Sequence, residues 1–217
     1  MADSFELIFR REGAEAARAK FLSRLFGVFA EEVVRLWATD DRSPYQSLGR
    51  PTLTPVGCSK GYTLDFTLQD RSTQKVYVVE MKCEIEYQNF RYFALEGAWQ
   101  LDHHSKPAFK AFLDAASGTS EQRVVVNGKQ VRADGAILIW GSVTETGRSS
   151  VISALGLHEV LSVANICRDL VAWQHAEYAA LLDKRRAWTL ELFDGLSAPR
   201  IGHATVAGSG TPQPVTL

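Results

Sequence analysis

The feature that most constrains this chain is a pair of β-rich segments joined by a short polar link. Tyr62 to Gln69 is the first, Lys75 to Ile85 is the second, and Asp70 to Gln74 lies between them. Side chains alternate between the two faces of a strand. In the first segment Leu64, Phe66 and Leu68 share one face, and Thr63, Asp65 and Thr67 share the other. In the second, Val79, Met81, Cys83 and Ile85 share one face, and Glu80, Lys82 and Glu84 share the other. Consecutive strands with so short a connection pair antiparallel. With the turn centred between Ser72 and Thr73, Asp65 faces Glu80 directly. Opposed side chains have Cβ atoms about 5 Å apart, where like charges are destabilising. A slip of one residue would put the two acids on opposite faces.

The rest of the chain supplies the setting. Gly13 to Ala38 reads as a helix, with Phe21, Leu22, Leu25, Phe29, Val33, Leu36 and Trp37 near the helical period. Asp41 to Gly61 is punctuated by proline and glycine and reads as loop or irregular extended chain. Gln88 to Ala116 reads as helical, with a break near Pro107. Arg123 to Val126 and Gln130 to Val143 read as strands, and Asn127-Gly128 between them is a hairpin signal. Leu157 to Leu196 reads as two helices. The order α, β, β, α, β, β, α predicts an α/β or α+β domain around one central sheet. With 217 residues, 46% of them hydrophobic, the chain can bury one sizeable core. The expected organisation is a single domain over residues 1–196, with a core of about 14–143 and a helical extension of about 150–196. The Gly-, Ser-, Thr- and Pro-rich residues 197–217 are expected to form a flexible tail.

Composition narrows the function classes. The formal net charge is −1, so affinity for nucleic acid must come from a local site, not from overall basicity. No secretory signal is visible at the N-terminus, and no apolar run approaches the roughly 18 residues that span a bilayer. A cytoplasmic protein with no membrane partner is the expectation. Cys58, Cys83 and Cys167 have no zinc-ligand spacing and no disulfide framework.

Two opposed carboxylates with a lysine on the same face call for a divalent hard cation. Mg²⁺ takes oxygen ligands and keeps several waters, which suits phosphate substrates. A lysine two residues from the glutamate can orient the attacking water or stabilise charge building on a phosphate. The plainer reading, a solvated face of mixed charge, accounts for Glu84 better than for acids in the middle of strands this apolar.

Asp65, fourteen intervening residues, and then Glu80-Met81-Lys82 after Val76-Tyr77-Val78-Val79 resembles the PD-(D/E)XK nuclease superfamily. GCSKGYTLDF followed by VYVVEMKCE is similar to the core of restriction endonucleases and archaeal Holliday-junction resolvases. The resemblance covers roughly residues 14–143. It implies a restriction endonuclease-like core of αβββαβ-type order, with a central mixed sheet flanked by helices. It also implies an endonuclease that hydrolyses DNA with Mg²⁺, for which Mn²⁺ can substitute. Asp65 and Glu80 would be metal ligands and Lys82 the catalytic lysine. The family often adds a helix-one glutamate, and helical period favours Glu32 over Glu31 as that third ligand. Gln88-Asn-Phe-Arg-Tyr92 resembles the Q-x-x-x-Y motif of RecB-like nucleases, so Gln88 would join the site, although it follows Lys82 more closely than that family has it. Leu64 stands where the family motif has proline. Family members commonly dimerise, so a homodimer is implied. The competing expectation is a catalytically inactive nuclease-fold module that binds DNA or a protein partner.

Other features are weaker. His103 and His104 are neighbours, and on a helix they would point about 100° apart. Ser59 and Lys60, between Gly57 and Gly61, could approach a phosphate backbone. Lys184-Arg185-Arg186 with Trp188 mixes basic and aromatic groups. Trp99, Trp140 and Trp173 sit in apolar settings and read as core.

Overall fold

The structure is a computed structural model that describes residues 16–82, 94–102, 104–118 and 122–197. It divides into two compact units, one ending at His175 and the other beginning at Ala176.

The first unit opens with helix α1 (Ala16–Thr39) and strands β1 (Tyr45–Gly49) and β2 (Pro51–Pro55). The expected first catalytic strand is split into β3 (Tyr62–Thr63) and β4 (Phe66–Asp70). Strand β5 (Val76–Lys82) follows. Next come β6 (Ala94–Leu95), a 3-10 turn (Ala98–Leu101) and α2 (Pro107–Ser117). Strands β7 (Gln122–Val126), β8 (Lys129–Val131), β9 (Gly135–Trp140) and β10 (Ser142–Val143) lead to α3 (Glu145–Leu155), β11 (Glu159–Ser162) and α4 (Val163–Ala172). The second unit is described as α5 (Ala176–Ser197).

The expected class holds: a mixed central sheet is flanked by helices. Its order is β1-β4-β5-β9-β11, with β1 and β4 antiparallel to their neighbours and β9 and β11 parallel to β5. The central sheet is accompanied by smaller ones. Strands β3-β2-β7-β8 form a second sheet, and β6 pairs with β10. The expected helical extension also begins later. Strand β11 completes the central sheet beside β9, and α4 follows it within the same unit. Its tetrapeptide Glu-Val-Leu-Ser is too short to announce a strand by period alone. Helix α3 opens with Thr144, whose hydroxyl accepts from the Gly147 N–H. No helix among the described residues is long and apolar enough to cross a membrane.

Each face of the sheet has its own cover. Val78, Ala136, Leu138, Trp140 and Val160 face a core built with Phe109 and Phe112 of α2, Val151 of α3 and Leu53, Val124 and Val126 of the second sheet. On the other face Trp37 of α1 lies 6.1 Å from the ring of Tyr45, which meets Tyr77 edge-on at 6.5 Å. Trp37 Nε1 donates to Asp169 of α4, tying the two helices of that layer. The buried stripe of α1 is Phe26, Ala30, Val33, Val34, Trp37 and Ala38, while Phe21 and Leu25 are exposed. Trp99 is 60% exposed and is not a core residue, whereas Trp140 is fully buried.

Candidate functional site

The β4–β5 register is Phe66↔Val79, Thr67↔Val78, Leu68↔Tyr77 and Gln69↔Val76. The ladder ends at Phe66↔Val79, one position short of the expected Asp65–Glu80 pair, although the Asp65 charge acts on the Glu80 carboxyl. The turn is held by the Asp70 carboxylate, which accepts from the N–H groups of Ser72 and Thr73 and from the Ser72 hydroxyl. Those bonds hold the Asp70 carboxyl down at about 2.

Asp65 does not sit inside a strand. It occupies the bend between β3 and β4, where the chain leaves one sheet for the other. Leu64 N–H bonds the Pro51 carbonyl, on the second-sheet side. Asp65 N–H bonds the Val79 carbonyl, on the central-sheet side. The ladder is therefore broken at Asp65, and its carboxylate turns to the gap: Oδ2 accepts from Met81 N–H at 2.7 Å. Arg50 crosses the same fork, with Nε donating to the Leu64 carbonyl at 3.3 Å and Nη2 lying 3.7 Å from Asp65 Oδ1.

Glu80 is 7% exposed, one of the few buried charged groups. Its carboxylate is ion-paired with Lys82 Nζ. Burial pushes the Glu80 carboxyl above its ordinary range; the Lys82 charge opposes this, and the Asp65 charge adds to it. Lys106, at the position before the first turn of α2, adds a further opposing positive charge. Lys82 Nζ also lies 5.9 Å from the ring centroid of Phe109 on α2. Asp65, Glu80 and Lys82 are thus brought to one end of one sheet face, joined by two cations the sequence did not single out. Arg50 is separated from Asp65 by fifteen positions, and Lys106 belongs to another element, so neither spacing carries a signal.

Glu32 is placed differently. It is half-buried on α1, the helix whose Trp37 reaches the Tyr45–Tyr77 ring contact. Tyr77 alternates with Val78 and Glu80, so α1 covers the face opposite the acid pair. Among the described residues no three His, Cys, Asp or Glu side chains form a metal-holding group, so Glu32 does not join Asp65 and Glu80 there. Gln88, Glu84, Cys83 and His103 lie outside the described residues. Ser59 and Lys60 are exposed in the loop before β3. In the second unit, Lys184 and Arg185 stack over the Trp188 ring, a contact within one helix.

The donor set fits a hard divalent cation in part. Two carboxylates stand at one fork, one of them buried and held above its ordinary range, and Mg²⁺ takes few protein ligands when it keeps its waters. Arg50 and Lys82 are the cations at these acids. Compared with protein-family models, with curated proteins and with solved structures, the chain matches none.

Proposed function

We propose that this chain is a metal-dependent nuclease of PD-(D/E)XK type, hydrolysing phosphodiester bonds of DNA on a restriction endonuclease-like core. The observation that carries the reading is the fork itself: Asp65 opens it, Glu80 is buried within reach of the Asp65 charge, and Lys82 is paired to Glu80 on the same face. Asp65 and Glu80 would hold Mg²⁺ or Mn²⁺. When bound, the ion would supply positive charge to the scissile phosphate and make a nearby water easier to deprotonate. Lys82, on the same face as Glu80, would orient the attacking water and stabilise charge on the phosphate. The bend at Asp65 keeps its Oδ1 turned to the gap while Oδ2 is held by Met81.

The test is cleavage of plasmid and oligonucleotide DNA with Mg²⁺ or Mn²⁺. Lys82→Ala is expected to lower the rate by roughly 10²–10³. Equal, metal-independent activity in wild type and variant would sink the reading.

One observation favours a second reading, a nuclease-fold module that binds without cutting. The Asp65 carboxylate has a structural bond to Met81, and the Glu80 carboxylate is already ion-paired with Lys82. Calorimetric titration with Mn²⁺ separates the two. No binding, or binding unaltered in Asp65→Asn, selects the module.

A further inference from the structure

We propose that the groove between the C-terminal end of α2 and the β7–β8 hairpin binds the phosphate backbone of a polynucleotide through Arg123 and Arg132. The groove has a volume of about 940 Å³ and is lined by both arginines, with Gln122 and Gln130 among its other polar residues and no carboxylate among the described lining residues. The hairpin register pairs Val124 with Val131, Val125 with Gln130 and Val126 with Lys129. Arg123 lies within β7 and Arg132 one residue past the end of β8, and both line the same groove. Two like charges brought to one groove repel each other. Both side chains are exposed, and among the described residues neither has an ion-pair partner. The chain is not short of acids to compensate them, with 25 acidic residues against 24 basic ones. An outside anion is what the pair is arranged to meet, and guanidinium forks match phosphate oxygens two at a time.

The groove's position argues for a polymer. Helix α2 is 11 residues long, which is about 16 Å. Phe109, near its start, lies beside Lys82; Ala115, near its end, lines the groove. These two positions are about 9 Å apart along the helix, and duplex DNA advances about 3.4 Å per base pair, so about three base pairs cover that distance. Lys106 and Lys110 are exposed on the first turns of the same stretch. This inference rests on the nuclease reading for its substrate and names a second contact on it: the groove holds the backbone while the fork meets the scissile bond.

The test is fluorescence anisotropy with a labelled DNA of about 20 nucleotides, as duplex and as single strand, in EDTA over a range of salt. Wild type is compared with Arg123→Gln/Arg132→Gln, and both are titrated with Mn²⁺ by calorimetry. The double variant is expected to bind at least one of the two DNA forms about ten-fold more weakly, with a salt slope for the duplex shallower by about two, at unchanged Mn²⁺ affinity and a melting temperature no lower than wild type. DNA binding as in wild type, or none in wild type, overturns the groove while leaving the Asp65–Glu80 reading untouched. A wild type that binds DNA through the arginines but takes no Mn²⁺ overturns hydrolysis while the groove stands. Equal loss of binding for a polyglutamate peptide assigns the groove to an acidic protein partner and overturns the polynucleotide.

Discussion

The Asp65 carboxylate accepts a 2.7 Å hydrogen bond from the Met81 backbone N–H, across the point where β4 parts from β3. In an unbroken ladder that N–H would meet a main-chain carbonyl of the facing strand. Here the facing chain has turned toward Pro51, and a side chain takes the carbonyl's place. Asp65 is therefore both a part of the fork and a candidate ligand. Asp65→Ala should cost about 1–3 kcal/mol, because it leaves a half-buried donor unsatisfied. Asp65→Asn keeps an acceptor oxygen and should cost less, while removing the charge a metal needs. Urea unfolding and Mn²⁺ calorimetry on both variants check this; equal destabilisation by the two would refute the capping role.

The raised pKa of Glu80 gives two pH dependences of opposite sense. Burial makes the folded state hold this proton more tightly than the unfolded chain, whose ordinary value is 4.5. Without metal, stability from this group is therefore fullest at low pH and falls as pH rises through the folded value. Metal affinity runs the other way, since only the carboxylate binds. Mn²⁺ affinity should fall on acidification with a midpoint above 4.5, and saturating Mn²⁺ at about 100 times its Kd should add about 2.7 kcal/mol of stability at neutral pH. A midpoint at or below the ordinary value would remove Glu80 from the ligand set.

Glu32→Gln should leave Mn²⁺ affinity within about two-fold of wild type, while Asp65→Asn and Glu80→Gln lower it by at least ten-fold, about 1.4 kcal/mol. The reason is the sheet: α1 covers the Tyr77 face and the acid pair lies on the other. A large loss in Glu32→Gln would show that this glutamate reaches round the sheet end.

This contrast marks what the sequence could and could not carry. Alternation in two short strands, with a turn fixed by Asp70, gives the register as far as Phe66↔Val79 and puts Glu80 and Lys82 on one face, while Asp65 falls at the bend beyond the ladder. Asn127-Gly128 announced its two-residue turn just as well, with both residues at positive φ. Glu32 was read from the period of one helix, and period gives the buried stripe without saying which layer it covers. The stripe itself was rotated: Phe26, Ala30 and Val34 are buried where Phe21 and Leu25 were expected. The split of the first strand into β3 and β4, and the second sheet that results, come from Pro51 meeting Leu64. Such a contact between distant segments leaves no local pattern.

Gly147 tests the packing that seats α3. A Cβ built there would overlap the carbonyl oxygen of Leu95, a backbone atom that cannot swing aside. Strand β6 and helix α3 touch at this point, and the Leu95 carbonyl also accepts from the Thr144 N–H. Gly147→Ala should destabilise by about 2 kcal/mol, lowering the melting temperature by roughly 6 °C. Ala154→Gly, on the same helix, should cost about 1 kcal/mol from backbone freedom alone. If calorimetric melting shows Gly147→Ala milder than Ala154→Gly, the close approach is not restrictive.

Arg50 sets the charge that a metal at Asp65 would meet. Its Nη2 lies 3.7 Å from Asp65 Oδ1, while Nε holds the Leu64 carbonyl. The guanidinium is more than half exposed, so its attraction for Asp65 is near the aqueous limit, about 1 kcal/mol at such a distance. Its repulsion of a divalent ion bound to the same carboxylate is of similar size or larger. If Arg50 acts on the ion only through its charge, Arg50→Gln should tighten Mn²⁺ binding by about five-fold, and more so at low salt, where screening is weaker. If its bond to Leu64 is what aims Asp65, the same change should weaken Mn²⁺ binding and lower stability together. The structure favours the first outcome, because Asp65 is already aimed by Met81 at the shorter distance of 2.7 Å. Calorimetry at two salt concentrations, read beside a urea midpoint, gives the sign.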